Sequence, residues 1–134
     1  ALVVGSLTAI FTALAIAKAL GAGDTLLASL APKSVTAPVA IGIAESLGGA
    51  PTLTAVLVIL TGMIGAVSVT PMLNALRLKD WRARGFATGV AAHGIGTARA
   101  FQVNETAGAF ASIGMGLNAV LTALLAPLVL RLFM

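Results

Sequence analysis

Charged side chains punctuate this chain at wide intervals, and the stretches between them are apolar. None occurs between Glu45 and Arg77, and none between Glu105 and Arg131. Each stretch exceeds the roughly 20 apolar residues that span a bilayer, so each predicts a transmembrane helix. A third uncharged run, Ala1 to Ala17, ends at Lys18, whose long side chain can reach the headgroups. Two further segments are long enough to cross but are interrupted centrally. From Gly23 to Ala50 the interruption is Pro32, Lys33, Ser34, Thr36 and Pro38. Pro38 lacks an amide hydrogen and disfavours helical geometry at Ala37. The helix should therefore open ahead of it and restart with a proline in the first turn and Thr36 as N-cap. The arms, about Asp24 to Ala31 and Pro38 to Leu47, each suffice for half a bilayer at about 1.5 Å per residue. The second interrupted segment, Gly85 to Asn104, has His93, Gly94, Gly96 and Thr97 at its centre and Arg99 just beyond. Its two glycines weaken the helix, and Thr97 can cap the arm that follows.

The interrupted segments align at an offset of about 60 residues, pairing Lys33 with His93, Val35 with Ile95, Glu45 with Glu105 and Gly48 with Gly108. That hints at a parallel repeat. The whole pattern predicts an all-α membrane protein, one transmembrane domain over residues 1–134. It would be a bundle of about five passes, near 2–20, 24–49, 51–76, 85–104 and 106–131, two of them discontinuous helices. Orientation follows from Lys and Arg. If both interrupted segments cross, Lys18, the Arg77 to Arg84 cluster and Arg131 share one side. If both are re-entrant hairpins, Lys18 and Arg131 fall outside and the cluster inside. The positive-inside rule favours crossing, with the N-terminus outside and the C-terminus in the cytoplasm.

Composition agrees with lipid as the main solvent: 59% of residues are hydrophobic and 9% charged, outside soluble globular usage. The net charge of +4 is densest at Arg77, Lys79, Arg82 and Arg84 beside Trp81, which reads as a cytoplasmic loop with an interfacial anchor rather than a nucleic-acid surface. Cysteine is absent, which removes disulfides, thiolate metal sites and catalytic thiols. One histidine without neighbouring Cys, Asp or Glu is not a metal site. Neither a P-loop nor a nucleophile-base-acid set occurs, so neither enzyme chemistry nor a cofactor is implied. The apolar start lacks the basic region and cleavage context of a signal peptide. Beginning at an alanine directly ahead of a helix, the chain is expected to be part of a longer protein.

Helix breaks at mid-depth persist only where protein or a water-filled cavity satisfies the freed backbone, so they mark a candidate site. Helix N-termini there favour anions. Lys33, His93 and Arg99 would add positive charge or donors, and Ser34, Thr36, Gly94, Gly96 and Thr97 amides or hydroxyls. Together they form a candidate substrate-binding set of the kind secondary transporters build from broken helices. Each has a plainer reading. Gly94 and Gly96 could serve only close helix approach. Lys33 could sit in an interfacial loop, since buried charge is expensive, and His93 could satisfy a carbonyl. Glu45 and Glu105, at the far ends of second arms, fit headgroup positions better than a proton relay.

The stretch Pro32-Lys33-Ser34-Val35-Thr36-Ala37-Pro38-Val39-Ala40, then Gly48-Gly49 and Thr61-Gly62, resembles the signature of the LrgB/CidB family. So does Ala92-His93-Gly94-Ile95-Gly96-Thr97-Ala98, with Glu105, Gly108 and the apolar Met115 to Pro127 helix. The resemblance covers nearly the whole chain. Members are usually longer, with further N-terminal spans, so a site needing those spans is incomplete here. The family is grouped with carriers built from inverted repeats and crossing broken helices. The resemblance implies a multi-pass protein of the bacterial inner membrane and two functions. One is carriage of small monocarboxylates, as in plastid relatives that carry glycolate and glycerate and bacterial pairs linked to pyruvate uptake. The other is antiholin-like control of murein hydrolase export and autolysis, as an oligomeric component beside a small holin-like partner, LrgA or CidA. Anion-favouring helix ends with buried basic residues agree better with the first.

Overall fold

The computed structural model covers all 134 residues and is 81% helical without strands. Six helices follow in order: α1 Leu2–Ala19, α2 Asp24–Leu30, α3 Ala37–Ser46, α4 Pro51–Ala75, α5 Trp81–Val103 and α6 Glu105–Leu130. Three of them, α1, α4 and α6, are long and apolar enough to cross a membrane. The 26 residues of α6 give about 39 Å, more than the roughly 30 Å hydrocarbon core.

Helix ends form where the sequence supplies caps. The Asp80 carboxylate accepts from the Arg82 amide at 2.9 Å and opens α5. Asn104 does the same for α6, accepting from the Ala107 amide at 3.1 Å. Pro51 and Pro38 occupy first-turn positions of α4 and α3, where a missing amide hydrogen costs nothing. Because Asp80 caps it, α5 starts at Trp81, ahead of the Gly85 expected from composition.

Both interrupted segments fold back on themselves. In α5 the turn is at His93, whose φ of 41° and ψ of −137° are not helical. Beyond it the chain returns: Ala100 and Val103 line the same small cavity as Trp81, Arg84 and Thr88. In a continuous helix Arg84 and Ala100 would stand about 24 Å apart. The first arm then runs parallel to α6, in close contact at Gly85 with Ala107 and at Gly89 with Ala111. At the other interruption, residues 31–36 turn between α2 and α3, and the chain comes back beside α2. The Ala50 amide donates to Ser29 Oγ at 2.8 Å, and Thr54 Oγ1 donates to the Ser29 carbonyl at 3.2 Å. Ile43 and Leu47 pack with Leu27, Ala28 and Ala31. The bundle is thus built of three long helices and two hairpins, the hairpins standing where two further passes were expected from charge. The chain reverses at the single non-helical residue His93 and through the turn at residues 31–36, and arms of about ten residues are too short to reach the far end.

Direction along the bundle follows from the contacts. Ser6 of α1 meets Asn118, and Ile10 and Leu14 join Ala126, Val129 and Leu130, so α1 and α6 run the same way. The α2–α3 hairpin enters from the end where α1 finishes, and the α5 hairpin from the opposite end. Each hairpin is followed by a long helix, α4 or α6. The repeat suggested by the offset of about 60 residues is thus inverted in space rather than parallel.

Candidate functional site

The two hairpin tips meet halfway along the long helices. At the first tip, short turns carry the chain through Pro32 to Val35, with the Lys33 amide donating to the Leu30 carbonyl and the Val35 amide to the Pro32 carbonyl. Ser34 is buried. Thr36 is the N-cap residue of α3 in extended geometry, and its hydroxyl caps no amide. At the second tip His93 holds a backbone conformation that favours glycine, of the sort retained where surrounding structure enforces it and common at functional sites. Gly94 begins the returning arm, and Thr97 one turn on donates to the His93 carbonyl at 2.7 Å. A methyl at Gly94 would stand 3.9 Å from Thr36 Cγ2 and 3.9 Å from Met115 Sδ. Thr97 Oγ1 also lies 3.9 Å from Met115 Sδ. Thr36, Gly94 and Thr97 thus share one locality, floored by Met115 of α6.

Three anchors fix the tips. His93 Nε2 lies 2.9 Å from the Val58 carbonyl of α4, a buried contact that gives the ring the carbonyl-satisfying role foreseen as its plainer reading. Asn118, at the middle of α6 and fully buried, donates from Nδ2 to the Ser34 and Val90 carbonyls, each at 3.1 Å. Its Oδ1 accepts from Ser6 Oγ at 2.6 Å and from Thr122 Oγ1 at 3.3 Å. One amide therefore ties α1, the first tip, the outgoing arm of α5 and α6 together. Sequence reasoning passed over Asn118 and Met115. The available signal was an uncharged but strongly polar side chain inside an apolar span, where such groups need partners.

The remaining members of the predicted set divide. Lys33 is half-buried at the first tip, with Nζ 3.3 Å from Ser34 Oγ, and lies within electrostatic reach of the His93 ring. No carboxylate pairs with it, since the two ion pairs of the chain are Lys18–Asp24 and Arg82–Asp80. Gly96 sits in the angle of the α5 hairpin against Ala92 and Thr88, a packing position that supports the turn. Arg99 is exposed and donates to Gln102 at 3.2 Å. Two residues along a helix rotate the side chain by about 200°, so Arg99 points away from the face that carries Thr97. Glu45 and Glu105 are exposed near hairpin ends.

The arrangement offers one cation, several hydroxyls and two helix N-termini, from α3 and from the returning arm of α5, at a point enclosed by the long helices. Such a locality suits a small anion.

Among known proteins, the chain is 42% identical to YwbG of Bacillus subtilis over 127 residues, 95% of this chain and 56% of that protein. It is 40% identical to YxaC of the same organism over 130 residues, 97% of this chain and 56% of that one. With the holin-like protein CidB of Staphylococcus aureus it shares 39% over 116 residues, 87% of this chain and 51% of that protein. The chain thus spans about half the length of the relatives it matches. No solved structure matches it. The LrgB-like family matches residues 1–132, nearly the full length, and this all-α membrane chain belongs to that family.

Proposed function

We propose that the chain is the substrate-binding part of a secondary transporter of small monocarboxylates such as pyruvate or glycolate, in the bacterial inner membrane. The observation that carries this reading is Lys33: a lysine without a carboxylate partner, at the meeting point of two chain reversals. A buried cation is costly unless paired, and a bound carboxylate is the missing partner. Ser34, Thr36 and Thr97 would hydrogen-bond it, with the N-termini of α3 and the returning α5 arm adding positive potential. His93 shapes the second tip and Gly94 and Gly96 permit it, while Arg99 takes no part in binding.

In this reading α1, α4 and α6 cross the bilayer, and the two hairpins are re-entrant from opposite faces. Arg77, Lys79, Arg82 and Arg84 gather at one end, against Lys18 and Arg131 at the other, so the cluster end is cytoplasmic. Tips held at mid-depth and followed by inverted units suit alternating exposure of one site to the two sides. Reconstitution into liposomes tests the reading: saturable uptake of labelled pyruvate or glycolate, competed by the other acid, is expected. Liposomes that take up neither would remove it.

A second reading is favoured by the holin-like name of the Staphylococcus relatives: an antiholin-like regulator of murein hydrolase export and autolysis, acting with a small LrgA- or CidA-like membrane partner. It needs no cargo, and altered autolysis without carboxylate uptake would support it.

A further inference from the structure

A groove of about 510 Å³ separates α1 from the outgoing arm of α5, away from the hairpin tips. Gly5 and Ala9 form one wall, Phe86 and Val90 the other, with Phe110 of α6 between them and Arg82 at one end. Its volume falls among those of small-molecule pockets, about 300–1,000 Å³. Its lining is almost wholly hydrocarbon, so it does not suit a carboxylate. Along α5 the lining runs from Arg82 to Ala91, about 13 Å, close to the depth of one leaflet of a roughly 30 Å core.

Charge marks the mouth. Arg82 shares Nε and Nη2 with Asp80 at 3.3 and 3.4 Å, leaving Nη1 free, and its side chain is 65% exposed. Arg77 and Lys79, a few residues away, are exposed and have no carboxylate partner. Arg84 does not contribute to this surface. It turns inward, stacks 4.6 Å over Trp81 and donates to the Leu78 carbonyl at 3.0 Å, which steadies the loop that carries the cations. An exposed arginine at the end of a leaflet-deep apolar slot is complementary to an amphiphile with an anionic head and an acyl tail.

We propose that this groove binds an anionic phospholipid, with its phosphate at Arg82 and one acyl chain lying between α1 and α5 against Phe86, Val90 and Phe110. Phosphate recognition by Arg82 combines Coulomb attraction with the donor geometry of its guanidinium, and anionic lipids are the species that juxtamembrane basic residues attract.

The test is thermal unfolding of the chain in bilayer discs of phosphatidylcholine alone or containing phosphatidylglycerol. The unaltered chain should melt higher with phosphatidylglycerol. Arg82→Gln should lose that difference through the headgroup, and Ala87→Phe, placed on an exposed groove residue, should lose it by filling the acyl slot. Lys18→Gln at the opposite end should keep it. Equal melting in the two lipids, or an undiminished difference in Ala87→Phe, would overturn the proposal, the latter by showing that surface charge alone is read.

Discussion

Gly62 of α4 leaves room for the ring of His93: a methyl at Gly62 would lie 2.6 Å from His93 Cε1 and 2.9 Å from Nε2. The ring cannot retreat without losing its 2.9 Å contact to the Val58 carbonyl. Gly62→Ala should therefore destabilise the protein by about 1–3 kcal/mol, the usual cost of overpacking. Combined with His93→Ala, which removes the obstructing ring, the pair should cost less than the sum of the single changes. Unfolding of the three variants in detergent would measure this, and simple additivity would mean that the two residues do not compete for the same space.

Topology gives a second prediction. With hairpins in place of two crossings, residues near Asp80 and Met134 lie at opposite ends of the bundle, whereas five passes would put them on one side. Single cysteines at these positions, in a chain that has none of its own, should label from opposite faces of the membrane. Labelling from the same face would return the crossing arrangement.

What the sequence revealed, and what it hid, follows from the range of the forces involved. The apolar stretches and the Pro and Gly interruptions are local signals, and α1, α4 and α6 and both turns stand near where those signals put them. Whether an arm continues or reverses is not local. It depends on one dihedral pair at His93 and on contacts between distant residues, such as Gly85 with Ala107. The positive-inside rule, applied to Lys18 and Arg131, favoured crossing because it gathered all cations on one side. An imbalance of four against two is equally compatible with the rule, which concerns bias rather than exclusion. Arg99 and Thr97, two residues apart, stand on different helix faces, a separation that the sequence spacing already carries.

Asn118 supports a third prediction. Asn118→Leu keeps the approximate volume but removes both donors, leaving the buried Ser34 and Val90 carbonyls without their side-chain partner. Each orphaned group costs about 1–3 kcal/mol, and here the loss falls on the first tip and on α5 together. A lower melting temperature and faster proteolysis within residues 31–36 are expected. Unchanged melting would mean that the tip is held by packing of Val35 and Ala40 against Val58 rather than by the amide.

The fourth prediction separates Lys33 from Arg99, which the sequence alone treated as equals. Lys33 is half-buried beside Ser34 at the junction of the tips, whereas Arg99 faces outward toward Gln102. A charge-assisted hydrogen bond to a carboxylate contributes about 1.5–3 kcal/mol, which corresponds to roughly a 10- to 100-fold change in affinity. Lys33→Gln should therefore raise the half-saturating concentration for carboxylate uptake by that factor with insertion unchanged, and Thr97→Val, which removes one neutral hydroxyl, should do so less. Arg99→Gln should transport as the unaltered chain does, and so should Lys79→Gln beyond the helices. Parallel uptake curves for the four variants in liposomes, at matched protein content, make the comparison. If Arg99→Gln fails as severely as Lys33→Gln, the anion is held on the outer face of the returning arm and not between the tips. If neither changes uptake, Lys33 is no counter-charge for cargo and the regulator reading gains.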